Sequence, residues 1–93
     1  MSVKYRIFET KGFVKDLEEI KSQGGRNILK KLSSYVYPLM HKEPHFGPNI
    51  KKLTNWQPDT WRYRVGDWRF FYQIDEKDKI VFMTAAHHRK ESY

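Results

Sequence analysis

An α+β fold is predicted, with a helical hairpin packed on one face of a mainly antiparallel four-stranded sheet in the order β-α-α-β-β-β. Three observations predict it. The chain opens on a segment that alternates apolar and charged residues. Two segments with apolar residues at helical spacing follow, separated by Gly24-Gly25. After residue 60 the pattern becomes alternating and rich in aromatics.

The opening segment, Val3-Lys4-Tyr5-Arg6-Ile7, has the period of a strand with one buried face. Thr10 then suits a helix N-cap, because its hydroxyl can accept from an unpaired amide of the first turn. Phe13, Leu17 and Ile20 form the apolar stripe of the first helix, and Lys15, Asp16, Glu18, Glu19 and Lys21 are expected in water. Gly24-Gly25 ends it. Ile28, Leu29, Leu32, Tyr35, Val36 and Leu39 carry a second amphipathic helix, which Pro38 is expected to stop or kink. Pro44, Gly47, Pro48 and Pro58 mark a long loop up to Thr60, with one short extended piece around Ile50 to Leu53. Trp61-Arg62-Tyr63-Arg64-Val65 and the run from Trp68 to Ile74 read as a hairpin turned by Gly66-Asp67. The charged turn Asp75 to Asp78 leads into a last strand, Lys79 to Ala86.

Length fits one domain, residues 1–93, with a small core. Fifteen aromatics, 16% of the chain, can supply much of the buried area, which argues against disorder despite the high charge. With no cysteine, disulfides and thiolate metal sites are excluded. No apolar run approaches membrane-spanning length, and no secretory signal core follows Met1, so a soluble cytoplasmic protein without membrane association is expected. The net charge of +7 points to polyanions such as nucleic acid, or to an acidic protein partner, against the alternative of a solvated basic surface. The excess is uneven, with seven basic residues and a single acid, Glu43, between Lys21 and Lys52.

A two-residue turn fixes the hairpin register. Val65 should face Trp68, Arg64 face Arg69, Tyr63 face Phe70, Arg62 face Phe71 and Trp61 face Tyr72. Trp61, Tyr63, Val65, Trp68, Phe70, Tyr72 and Ile74 then share the core side, and Arg62, Arg64, Arg69 and Phe71 the other. Opposed like charges cost on the order of 0.2–1 kcal/mol. A phosphate would offset that cost, since guanidinium forks bind its oxygens in pairs; the alternative is three arginines splayed into solvent. If Ile74 meets Ile80, Phe82 and Thr84 join the core side, while Val81, Met83, Ala85 and His87 lie with the arginines.

The polar tail His87-His88-Arg89-Lys90-Glu91-Ser92-Tyr93 brings two imidazoles, a guanidinium and a phenol to the rim of that face. These are the groups that RNA cleavage without a metal or other cofactor requires. Arginines stabilise charge building on phosphorus, and a histidine titrating near neutrality can move the 2′-OH or 5′-oxygen proton. A surface histidine pair is the alternative for His87-His88. A metal site is the weaker reading, because neighbours on a strand point apart and no carboxylate stands at ligand spacing. Lys30, Lys31, Lys51, Lys52 and Phe71 are candidate RNA contacts, with solvated charge as the alternative for the lysines. Trp56 could stack on a base or pack over the core edge.

The hairpin Trp61 to Tyr72 and the closing His88-Arg89-Lys90-Glu91-Ser92-Tyr93 resemble the signatures of the RelE/ParE toxin superfamily, and the element order is similar too. The resemblance implies a type II toxin neutralised by a cognate antitoxin in a hetero-oligomer. Its RelE-like members cut mRNA in the ribosomal A site, with 16S rRNA contacts, and leave a 2′,3′-cyclic phosphate. Carried over, the family's working positions fall on Arg62, Arg64 and Arg69, then His88 or Arg89, then Tyr93. Some members have lysines where Arg62 and Arg64 stand, and others a glutamate base for which Glu43 is poorly placed. A histidine, or no assigned group, is left for that role. The same resemblance admits a ParE-like toxin that inhibits DNA gyrase without RNA chemistry.

Overall fold

The computed structural model describes residues 4–89. β1 (Arg6–Glu9) leads into α1 (Lys11–Ser22), α2 (Arg26–Lys31), a π-helical turn (Leu32–Val36) and α3 (Tyr37–Lys42). Then come β2 (Ile50–Lys52), β3 (Trp61–Val65), β4 (Trp68–Asp75) and β5 (Ile80–His88). The strands form one sheet in the order β1-β5-β4-β3-β2, with β1 parallel to β5 and the other pairs antiparallel. The α+β class stands. The strand count is five, because the extended piece at Ile50–Lys52 pairs with β3 and becomes the sheet's second edge.

The first strand begins later than the alternation suggested. Tyr5 is buried, and the Lys4 and Tyr5 amides both donate to the His41 carbonyl at 3.1 and 3.0 Å. That ties the segment to the end of α3, so pairing with β5 runs from Arg6 to Glu9. Thr10 caps α1, its hydroxyl accepting from the Phe13 N–H at 3.2 Å. Gly24, at φ +83°, closes the helix in a conformation that costs glycine little.

Pro38 does not stop the second helix. It lacks an N–H and its ring crowds the carbonyl four residues back. The π-helical turn just before it absorbs that conflict, and the Tyr37 N–H reaches back five residues to the Leu32 carbonyl. The extra residue in this wide turn also shifts the apolar face by one position. Leu32, Val36 and Met40 are buried, while Tyr35 and Leu39, expected on that face, are half exposed.

Helices and sheet meet in an aromatic core. Phe13 and Phe70 pack edge to face at 6.1 Å, and Tyr72, Val81 and Met83 are fully enclosed around them. The Tyr72 hydroxyl donates to the Pro44 carbonyl at 2.7 Å, holding the 43–46 loop on the helical side. Phe70→Ala is expected to cost about 3–5 kcal/mol, since the ring lies where the packing is densest and little can collapse into its space. Urea unfolding checks it.

The hairpin register matches the expected one at all five pairs, from Trp61 with Tyr72 to Val65 with Trp68. Gly66 takes φ +58° at the first turn position, a conformation glycine adopts without strain. The β4–β5 register needs correction. Ile74 faces Val81, not Ile80, so Val81 and Met83 enter the core and Phe82 and Thr84 do not. Then Tyr72 pairs with Met83 and Phe71 with Ala85, leaving Thr84 as an extra residue. This bulge reverses the alternation. Beyond it Ala85 and His87 lie opposite Phe71 and Arg69, on the arginine side, as expected.

Candidate active site

The face of the sheet away from the helices carries the arginines. Arg62 and Arg64 alternate with buried Tyr63 and Val65 on β3, and Arg69 comes from β4 directly opposite Arg64. Opposed positions put Cβ atoms about 4.5–5.5 Å apart, so these guanidinium groups share one space. Burial and the neighbouring charges of Arg69 and Arg64 hold the Arg62 guanidinium below its ordinary value. It stays charged, because a guanidinium keeps its proton in proteins. The site is thus a concentrated positive field, set where an anion would relieve it.

Lys51 pairs with Arg62 across the β2–β3 ladder and adds to this field. Lys51, Trp56, Arg62, Arg64, Arg69 and Phe71 line a groove of about 300 Å³. Trp56 was expected over the core edge or on a base. It lies on the open face, half exposed, stacked on Phe71 with centroids 6.0 Å apart and planes 16° apart. The His87 ring also meets Phe71, edge to face, at 5.5 Å. An aromatic cluster therefore joins Trp56, Phe71 and His87 beside the arginines. A second, strongly polar recess lies next to the groove, between Arg64, Arg69, Asp67 and Arg89. There the Arg89 amide donates to the Asp67 carbonyl at 2.7 Å, and its guanidinium lies 3.8 Å from the Asp67 carboxylate.

Other sequence candidates lie elsewhere. His88 pairs with Trp68 and meets its ring edge to face at 5.1 Å, on the side of the sheet away from the arginines. Lys52 reaches Asp59 at 3.3 Å and the Trp61 ring at 5.7 Å, pointing to that same opposite side. Lys30 and Lys31 stand exposed on α2, in the helical layer across the sheet from the groove. Tyr93 lies outside the described residues. Glu43 is far from the arginine face: its carboxylate binds the His45 ring at 2.8 Å, and that hydrogen bond holds its pKa below the usual carboxylate value. His45 also bonds Glu76, which accepts from the Tyr5 hydroxyl at 2.8 Å. This network ties the 43–46 loop to the β4–β5 turn.

Two features escaped the sequence, and a third stood between two readings. Trp56, a candidate for base stacking or for the core edge, is delivered by a loop with no periodicity, and Asp67 looked like a turn residue only. Asp16, expected in water, accepts from the Ala86 N–H at 2.9 Å. Among the described residues no three His, Cys, Asp or Glu side chains gather as a metal site, and no helix is long and apolar enough to cross a membrane.

Solved structures share this fold. The toxin of the archaeal RelE–RelB complex from Pyrococcus horikoshii is 26% identical, over 96% of this chain and 99% of that one, with a TM-score of 0.67. The RelBE2 toxin–antitoxin complex from Mycobacterium tuberculosis gives 23% identity, a TM-score of 0.75 and 98% coverage of both chains. A metal-bound toxin from Helicobacter pylori gives 22%, 0.76, and 96% and 99% coverage. No curated protein sequence matches. A family model described as the ParE toxin of the type II toxin–antitoxin system parDE matches residues 7–93. The match takes in both sheet edges, the arginine hairpin and the polar tail, and the chain belongs to this toxin family, within the RelE/ParE superfamily.

Proposed function

We propose that this toxin is a ribosome-dependent endoribonuclease that cuts mRNA without a metal ion and so arrests translation. The observation that carries the reading is the meeting of Arg62, Arg64 and Arg69 on an open sheet face with His87 opposite Arg69. A base removes the 2′-OH proton, the 2′-oxygen attacks phosphorus, and the bond to the 5′-oxygen breaks as that oxygen takes up a proton. The products are a 2′,3′-cyclic phosphate and a 5′-OH. The three guanidinium groups bind the phosphate and stabilise its extra negative charge, the task a divalent cation performs elsewhere. His87 is the proton-transfer group best placed among them. Tyr93 is assigned to protonating the leaving oxygen or stacking on a base, and Arg89 to the second recess. Lys51 tracks the backbone, and Trp56 with Phe71 offers bases a stacking platform.

The protein acts in the cytoplasm on mRNA in the ribosomal A site, with 16S rRNA at its basic periphery, and a cognate antitoxin neutralises it in a hetero-oligomer. A second reading has a specific observation in its favour: the family model is that of ParE. Under it the protein inhibits DNA gyrase and performs no RNA chemistry, and the arginine face is a binding surface. Inducing the toxin while mapping 5′ ends of cellular transcripts and gyrase-dependent DNA breaks separates the two. Codon-phased cuts carrying 5′-OH ends are expected, and on ribosomes kept intact by Mg2+ a phosphorothioate at the scissile phosphate should give no rescue of cleavage by a thiophilic cation such as Cd2+. Breaks without cuts would establish the second reading, and rescue by the thiophilic cation would reject the metal-free chemistry.

A further inference from the structure

His87 reaches the arginine face only because β5 is irregular. In an unbroken strand residues two apart share a face. Val81 and Met83, both fully buried, would then be followed into the core side by Ala85 and His87, and His88 would emerge among the arginines. The extra residue at Thr84 exchanges the two histidines. Something must hold that irregularity in place, since an extra residue leaves backbone groups out of the ladder.

The holding contacts come mainly from α1. β1 ends its pairing at Glu9 with Met83, so from Thr84 onward the outer edge of β5 has no strand beside it. The start of α1 occupies that position. The Thr10 N–H donates to the Met83 carbonyl at 3.1 Å, and two turns along, the Asp16 carboxylate accepts from the Ala86 N–H at 2.9 Å. From the β4 side the Thr84 hydroxyl donates to the Phe71 carbonyl at 3.2 Å. Asp16 is the one charged side chain in this set, and its hydrogen bond lands just past the extra residue, next to His87. A carboxylate accepting from a backbone amide makes a short, strong bond that fixes direction.

We infer that Asp16 is a positioning residue: by capturing the Ala86 amide it locks the Thr84 bulge in the register that turns His87, and not His88, towards Arg69. The functional weight of this rests on His87 being the proton-transfer group, but the geometry is testable apart from it. The edge contact between His87 and Phe71 should displace the imidazole proton resonances by ring current, which carbon-13-labelled histidine makes visible.

In Asp16→Ala those resonances are expected to move towards the positions of a solvent-exposed histidine. The cleavage kcat should fall on the order of 10- to 100-fold, with KM for programmed ribosomes little changed, because the phosphate-binding arginines stay in place. Asp16→Asn keeps an oxygen acceptor at the same reach and should restore both readouts. Asp16→Glu keeps the charge but displaces the oxygens, so it should shift the resonances as Ala does; it serves if the Ala variant does not fold. His87 resonances unmoved in Asp16→Ala and Asp16→Glu would overturn the inference whatever happens to cleavage. Moved resonances with undiminished cleavage would support the positioning role and remove His87 from the reaction.

Discussion

Arg69→Ala is expected to lower mRNA cleavage by about two to three orders of magnitude, the usual effect of deleting one preorganised donor to a developing negative charge. Arg69 lies opposite Arg64 and lines both the groove and the second recess, so a phosphate held between them loses one side of its clamp. Stability should barely change. The side chain is on the face away from the core, and removing one of two opposed like charges relieves on the order of 0.2–1 kcal/mol of repulsion. Arg69→Lys should recover only part of the rate, because an ammonium keeps the charge but not the two-pronged geometry. Single-turnover cleavage on programmed ribosomes, beside thermal melts of each variant, checks this. Unfolding of Arg69→Ala would make the residue structural, and normal cutting would take it out of the site.

The two histidines should behave differently although they are neighbours in sequence. His87→Ala is expected to slow cleavage by about 10²- to 10⁴-fold, the span of general acid–base contributions. His88→Ala should leave cleavage near wild type, because the ring packs on Trp68 across the sheet from the arginines. Its cost falls on stability instead, of the order of 0.5–1.5 kcal/mol for an edge-to-face aromatic pair. Paired alanine variants assayed for rate and for unfolding separate the roles. The reverse pattern, with His88 essential and His87 dispensable, would mean that β5 runs without its bulge in the working toxin.

Much of this site was legible from local rules. A two-residue turn and strict alternation fix cross-strand neighbours, so Arg64 against Arg69 and Tyr63 against Phe70 followed from counting outward from Gly66-Asp67. Thr10 as a cap followed from one hydroxyl ahead of an apolar stripe. What escaped were places where one extra residue changes the phase. The π turn at Leu32–Val36 kept Leu32 and Val36 on the buried face but put Met40 there in place of Tyr35 and Leu39, and the Thr84 bulge exchanged the faces of β5 midway. Pro38 announces a disturbance in the helix but not the wide turn that answers it, and the bulge, contacted by α1, leaves no mark in the composition of β5. Trp56 and Lys30-Lys31 show a third limit. A loop residue and a helix residue carry no period that relates them to the sheet, so only the fold could bring the first into the groove and leave the others across the molecule.

The convergence of three guanidinium groups on a phosphodiester is tested most directly by titrating the isotope-labelled toxin with single-stranded RNA whose 2′-hydroxyls are methylated, which binds without being cut. Backbone and arginine side-chain resonances of Arg62, Arg64 and Arg69, together with those of His87 and Trp56, should shift as one saturable set while α2 stays silent. Perturbations centred on Lys30 and Lys31, or a hairpin left untouched at saturating RNA, would contradict it.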